Sequence, residues 1–144
     1  MKLFIDSNFF CALYNPADSQ HQKALKIAGI LRKKTPLIFI SNFIFLEVVT
    51  IISQRIGRQA AVQIGGHLMD ENKVKMININ PQLNRQAWEF FQQIESKNMS
   101  FVDVSIPVVL SAEGIKNLLT FDADHFKILQ RYFPFQFFPL NAPL

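Results

Sequence analysis

Four carboxylates stand where carboxylates are costly. Asp6 closes the apolar run Leu3-Phe4-Ile5, and Glu47 sits inside Phe43-Ile44-Phe45-Leu46-Glu47-Val48-Val49-Thr50-Ile51-Ile52. Asp103 ends Ser100-Phe101-Val102-Asp103, and Asp122 follows Leu119-Thr120-Phe121. A carboxylate taken out of water needs a partner, a proton or a cation. Singly, each has an ordinary structural use. Asp6 and Asp122 are of a type that caps helices or closes Asx turns. Asp103 stands three residues after Ser100, as in a capping box, and Glu47 would fit a structural ion pair. Asp124, just beyond Asp122, competes with it for any role. Together the acids argue for more, because like charges gathered in one place repel and a divalent cation relieves that repulsion. Oxygen-only ligands favour Mg2+ or Mn2+ over Zn2+. The single cysteine, Cys11, and 3 scattered histidines supply no zinc cluster.

Gathering them is a matter of the elements between. The apolar patterning predicts a strand at Leu3–Ile5 and a short helical piece at Phe9–Tyr14, broken by Asn15-Pro16. A helix capped by Asp18 or Ser19 then runs to about Lys34. Leu37–Ile40 reads as a second strand, followed by a helix from Phe43 to Gln54 capped by Ser41 or Asn42. Glu47 lies in that helix, and its apolar residues on nearly every side predict burial all round. A helix from Arg58 to about Asp70 and a strand at Val74–Ile79 come next, then a helix opened by Pro81. Asn98–Ser100 is a loop before a helix from about Val102 to Glu113, which Gly114 stops. Pro107 would lie in its second turn, which predicts a kink or a later start. Asn117–Thr120 and Phe135–Phe138 read as the last strands. Strands alternating with helices define an α/β chain with a mainly parallel sheet of about five strands. No linker or repeat divides residues 1–144, so one domain is expected. Sites in such sheets lie beyond the C-terminal strand ends, where Asp6 and Asp122 both fall.

Composition sets the outer bounds. Hydrophobic residues make up 49% and charged residues 18% of the 144, a balance that excludes disorder and fills a core. A net charge of +4 and a pI near 9.4 suit an anionic partner, nucleic acid or acidic protein. One cysteine forms no internal disulfide, which points to a reducing compartment. Asp6 arrives too early for a secretory leader. The apolar stretch from Leu37 to Ile52, interrupted by Ser41, Asn42 and Glu47, is too short to span a bilayer. A cytoplasmic protein without a membrane segment is expected.

The series Phe-Ile-Asp-Ser-Asn, Phe-Leu-Glu-Val-Val, Ser-Phe-Val-Asp and Leu-Thr-Phe-Asp-Ala-Asp-His-Phe resembles the PIN-domain signature, in order and spacing, across nearly the whole chain. In a chain of this size the resemblance is to the VapC-like toxins of type II toxin–antitoxin pairs. It implies a three-layer α/β/α fold and a Mg2+- or Mn2+-dependent endoribonuclease that leaves a 5′-phosphate and a 3′-hydroxyl. It implies an RNA substrate, a silencing antitoxin chain and a homodimer. Asp6, Glu47, Asp103 and Asp122 match the family's four acids, both metal-holding and catalytic. Asp6 and Asp103 are expected to meet the ion directly, with Glu47 and Asp122 partly through water and Asp124 as a weaker contributor. Ser7, Asn8 and Thr120 match the small polar residues that support them.

RNA approaching such acids calls for cations near them. Arg32-Lys33-Lys34 is one candidate, though a basic helix C-terminus favoured by the dipole is the stronger reading of that run. Arg55, Arg58, Lys116 and Lys127 are others. The aromatic tail from Tyr132 to Pro139 reads as an edge strand with a surplus for a dimer or antitoxin surface. Two rivals frame these readings. An Asp-nucleophile phosphatase of the haloacid-dehalogenase kind wants an acid at position 8, where Asn8 stands. A degenerate, non-catalytic scaffold would normally have lost one of the acids.

Overall fold

Leu3, Phe4 and Ile5 are withdrawn almost completely from water, as strand residues covered on both faces must be. They belong to β1 (Lys2–Ile5), the centre of the sheet in a computed structural model that describes residues 1–96 and 98–139. The expected single domain over 1–144 therefore includes residues 97 and 140–144, which lie outside the described part. The chain continues through α1 (Ser7–Tyr14), α2 (His21–Lys34), β2 (Leu37–Ser41), α3 (Asn42–Arg55), α4 (Arg58–Leu68) and β3 (Lys75–Ile77). It ends with α5 (Pro81–Gln93), α6 (Phe101–Glu113), β4 (Asn117–Leu119), α7 (Ala123–Leu129) and β5 (Gln136–Phe137).

The strands line up as β3-β2-β1-β4-β5, and every neighbouring pair is parallel. Helices α1 to α4 pack among themselves, as do α5, α6 and α7. Because parallel crossovers are right-handed, growth of the sheet in two directions from β1 puts these groups on opposite faces. The result is the three-layer α/β/α arrangement. One core runs through it, with Phe4, Phe9, Ile27, Ile44, Ile106 and Phe126 among its fully buried members.

Several local expectations are corrected. Helix α1 begins at Ser7, because Asp6 caps it, and α2 begins at His21 without a side-chain cap. Asp18 instead closes a turn by accepting from the Gln20 N–H at 2.8 Å. Helix α3 is not buried all round. Ile44, Val48 and Ile52 form its core stripe while Leu46 is 64% exposed. Phe45 and Val49 face α4 at Gly65, where a Cβ would make ordinary contact, 3.4 Å from Val49 Cγ2. Helix α6 starts at Phe101, earlier than expected, and continues through Pro107. The Ser100 cap sets that start, and Pro107 deprives only the Asp103 carbonyl of its helical donor. Gly114 ends α6 with φ 65°, as a C-terminal stop requires. Strands β3, β4 and β5 are shorter than the patterning predicts. In the tail, Phe135 and Phe138 turn into the core and Tyr132 stays exposed.

Candidate active site

Register builds the site. Ile5 pairs with Leu119, so the residues that follow, Asp6 and Thr120, emerge side by side where β1 and β4 end. The Asp6 N–H extends the ladder by donating to the Leu119 carbonyl at 2.9 Å. Strand order reverses direction at this same pair, since β2 and β3 lie on one side of β1 and β4 and β5 on the other. The crevice at such a switch point is where open α/β sheets hold their ligands.

Asp6 is 3% exposed and uses both carboxylate oxygens. Oδ1 accepts from the Ser7 N–H at 2.8 Å, capping α1, and Oδ2 accepts from the Thr120 hydroxyl at 2.9 Å. Capping and site roles are thus compatible, because a carboxylate offers about four lone-pair positions and capping occupies only part of them. The Thr120 hydroxyl is fully engaged. It donates to Asp6 and accepts from Asn8 Nδ2 at 3.1 Å and from the Asp122 N–H at 3.0 Å. Asn8 also donates to Asp122 Oδ2 at 3.4 Å, and its Oδ1 accepts from the Phe121 N–H at 3.1 Å. Ser7 ties in the third element, its hydroxyl donating to Glu47 Oε1 at 2.8 Å from α3. Position 8, where a phosphatase would need an acid, is occupied by an amide that stitches β4 to α1.

Asp103 joins from α6. Its Oδ2 accepts from the Ser100 N–H at 3.2 Å while Ser100 Oγ accepts from the Asp103 N–H at 3.0 Å, a complete capping box. We expect Ser100→Ala to lower stability by about 1 kcal/mol. Urea unfolding checks this, and an unchanged midpoint would mean that the cap contributes nothing.

The acids feel one another. Burial pushes Asp6 up to about 7 from 3.8, opposed by the Thr120 bond and reinforced by the charges of Asp103 and Glu47. Glu47 is raised by burial, lowered by its Ser7 bond and raised again by Asp103. Burial likewise raises Asp103, with the Ser100 bonds opposing it, Asp122 adding repulsion and His125 relieving it. Asp6 and Glu47 therefore each feel Asp103 and Asp6 also feels Glu47, while Asp122 acts on Asp103. Asp124 is not drawn in. Its side chain is 98% exposed and sits 3.6 Å from Lys127 on its own helix. Among the described residues no three acidic, His or Cys side chains converge on one point as they stand. Ser7, Thr120 and Asn8 instead tie Asp6, Glu47 and Asp122 together. Cys11 is buried and its thiol pushed up to about 11, chiefly by burial, so it is no nucleophile.

The basic residues singled out from sequence fare differently. Arg32-Lys33-Lys34 ends α2 just before β2 begins, and Lys116 precedes β4, so these lie at the N-terminal edge of the sheet, away from the acids. The helix-dipole reading of that run is the one that fits. Arg55 is about 12 Å along α3 from Glu47, and Arg58 lines a groove between α3 and α4. Lys127 is engaged with Asp124. A cation that sequence reasoning missed, Lys23, lies 5.6 Å from the centroid of the Phe121 ring. No motif marks it; only the fold brings α2 to the β4 end.

A PIN-domain family model matches residues 3–131. The 23S rRNA-specific endonuclease VapC20 of Mycobacterium tuberculosis is 30% identical over 122 residues, 85% of this chain and 90% of its own. The crystal structure of VapC20, a Sarcin-Ricin loop cleaving toxin, matches with a TM-score of 0.76 at 28% identity, over 88% of this chain and 94% of that one. VapBC2 from Rickettsia felis, solved on a DNA fragment from its promoter, shares the fold. Its TM-score is 0.65 at 17% identity, over 96% of this chain and 99% of that one.

Proposed function

This chain belongs to the PIN-domain family, and on that premise we propose that it is a metal-dependent endoribonuclease, the toxin of a toxin–antitoxin pair. The observation that carries the reading is the hydrogen-bond web at the β1/β4 crevice, in which Thr120 and Asn8 join Asp6 to Asp122 while Ser7 holds Glu47, with the charge of Asp103 felt by Asp6 and Glu47. The similarity to VapC20 over most of both chains supports RNA as substrate, and a structured ribosomal RNA loop as the first to try.

The donor set fits a hard divalent cation. It is made of oxygens only, its charge is in excess, and both Asp6 oxygens retain acceptor capacity beyond the bonds they accept. Asp6, Glu47, Asp103 and Asp122 would hold Mg2+ or Mn2+, which when bound lowers the pKa of water and offsets charge on the scissile phosphate. The chain's own residues supply placement. Ser7 and Thr120 fix the Asp6 carboxylate, Asn8 locks the segment carrying Asp122 onto α1, and Ser100 aims Asp103 from α6. Asp124 has no part in this reading. The silencing antitoxin, the homodimer and a cytoplasmic location belong to the same proposal through the family relationship. Among the described residues no helix is long and apolar enough to cross a membrane.

The test is cleavage of labelled RNA, both mixed-sequence strands and a sarcin–ricin stem-loop, with Mg2+ or Mn2+ beside an EDTA control. Metal-dependent cutting leaving 5′-phosphate ends is expected. A folded protein that binds no ion and cuts none of these RNAs would count against the nuclease and for the scaffold.

A further inference from the structure

Four carboxylates at one crevice set up a negative field, and an RNA strand brings one charge per phosphate. Fixed cations beside such a crevice offset that field at the flanking phosphates. The basic run chosen from sequence is at the wrong edge of the sheet, and Lys127 is held by Asp124. Three lysine–aromatic pairs occur among the described residues. In the pairs of Lys2 with Phe39 and Lys34 with Phe138 the cations come from the N-terminal edge, where β1 starts and α2 ends. The third is Lys23 on Phe121, and it alone is tied to the acids.

The tie is explicit. Phe121 lies between Thr120 and Asp122, and its N–H is held at 3.1 Å by the same Asn8 that bonds both. Its ring packs against Phe9 of α1 at 6.1 Å between centroids. Lys23, exposed in the first turn of α2, lays its ammonium over that ring at 5.6 Å and makes no ion pair among the described residues. A ring face satisfies an ammonium without consuming its hydrogen-bond donors. It also limits the rotamers of a side chain that otherwise loses much entropy on binding. A cation so placed is preorganised for an anion at the rim of the crevice.

We propose that Lys23, laid across Phe121, is a phosphate-binding subsite for the RNA strand that enters the acid crevice. The proposal rests on the ribonuclease reading and adds to it a specific contact outside the acids. Lys23 meets a phosphate beside the scissile one and takes no part in bond breaking. Its removal weakens binding, softens the salt dependence and leaves turnover alone.

The experiment uses the full chain and a fluorescein-labelled single-stranded RNA of mixed sequence. Binding is followed with Mg2+ present over a salt series in an Asp6→Asn background, so that the strand stays intact. Adding Lys23→Gln is expected to weaken binding about fivefold at low salt and to reduce the slope of log K against log salt by about 0.7, one single-strand phosphate. Lys23→Arg restores both. In wild-type background Lys23→Gln raises KM and keeps kcat within about twofold. With Phe121→Leu already in place, the further effect of Lys23→Gln shrinks, because the two act as a unit. An unchanged slope in Lys23→Gln, beside a wild type that binds and cuts RNA, overturns the subsite alone. Equal loss at every salt concentration, with lowered stability in urea, assigns Lys23 a structural role and also overturns it. A wild type that neither binds nor cuts RNA overturns the subsite together with the ribonuclease reading.

Discussion

Asp6→Asn is expected to abolish RNA cleavage, by about a thousandfold or more, in a protein more stable than its parent. The loss follows from chemistry. An amide places a neutral oxygen and a nitrogen donor where the ion needs charge, and charge stabilisation at a reacting centre carries factors of this size. The gain in stability follows from burial. Asp6 is raised to about 7 against 3.8 for an ordinary aspartate. A group raised in the fold contributes stability while protonated, below the unfolded value, and loses it as pH climbs through the folded value. The cost of the Asp6 charge is therefore absent near pH 3, grows between about 4 and 7, and is complete above, with an upper bound of about 4 kcal/mol. Asn escapes that cost and incurs another. Its Oδ1 can still cap Ser7, but its amide then meets a Thr120 hydroxyl whose acceptor positions are already filled by Asn8 and Asp122. That mismatch takes back about 1–2 kcal/mol. Urea unfolding in EDTA at pH 8 should show Asp6→Asn ahead by about 1–3 kcal/mol, with the advantage gone at pH 4. Mg2+ or Mn2+ should raise the Tm of wild type and leave the variant unmoved. A well-folded variant that still cuts RNA would remove Asp6 from the site.

Much of this was legible because the sequence patterns involved are local. Ser100 and Asp103 announce their own capping box, Gly114 its own stop, and Leu3-Phe4-Ile5 a strand buried on both faces. The four acids could be placed at strand ends and helix starts for the same reason, and the order of strands and helices implied a common edge. Long-range register was not legible. Nothing local says that Ile5 pairs with Leu119, so the direct bond from Thr120 to Asp6 and the double use of Asn8 appear only in the fold. Helix α3 differs from expectation because its apolar residues serve two surfaces, the core through Ile44, Val48 and Ile52 and α4 through Phe45 and Val49. A hydrophobic count cannot tell two partly covered faces from one buried cylinder. Asp122 and Asp124 are alike in type; the family resemblance favours Asp122, which follows Thr120-Phe121, and in the fold Asn8 reaches Asp122 while Lys127 faces Asp124. Lys23 carried no signal at all, since a lysine in a first helical turn is ordinary until a ring from another element is found beneath it.

Thr120→Val tests whether the hydroxyl is the hub that the hydrogen bonds describe. Valine keeps the shape and removes one donor and two acceptor positions. Asp6 Oδ2 loses its donor, and Asn8 Nδ2 and the Asp122 N–H lose their acceptor. Thr120 is half-buried, so water can replace some of these bonds at the surface but not the one to Asp6. A stability loss of about 2–3 kcal/mol is expected. The catalytic consequence has a sign. The Thr120 bond is what most strongly opposes the effect of burial on Asp6, so its removal sends Asp6 above 7. A proton must then be displaced at higher pH before the carboxylate can serve an ion. At subsaturating metal, the acid limb of kcat/KM should move to higher pH in Thr120→Val, and added metal or alkali should recover part of the activity. Thr120→Ser, which keeps the hydroxyl, should restore the wild-type limb. Folding loss alone would lower activity at every pH by the same factor, whereas loss of tuning bends the profile. An acid limb that stays in place in a folded Thr120→Val protein would show that burial alone sets the state of Asp6 and that the hydroxyl serves only to hold β4 against α1.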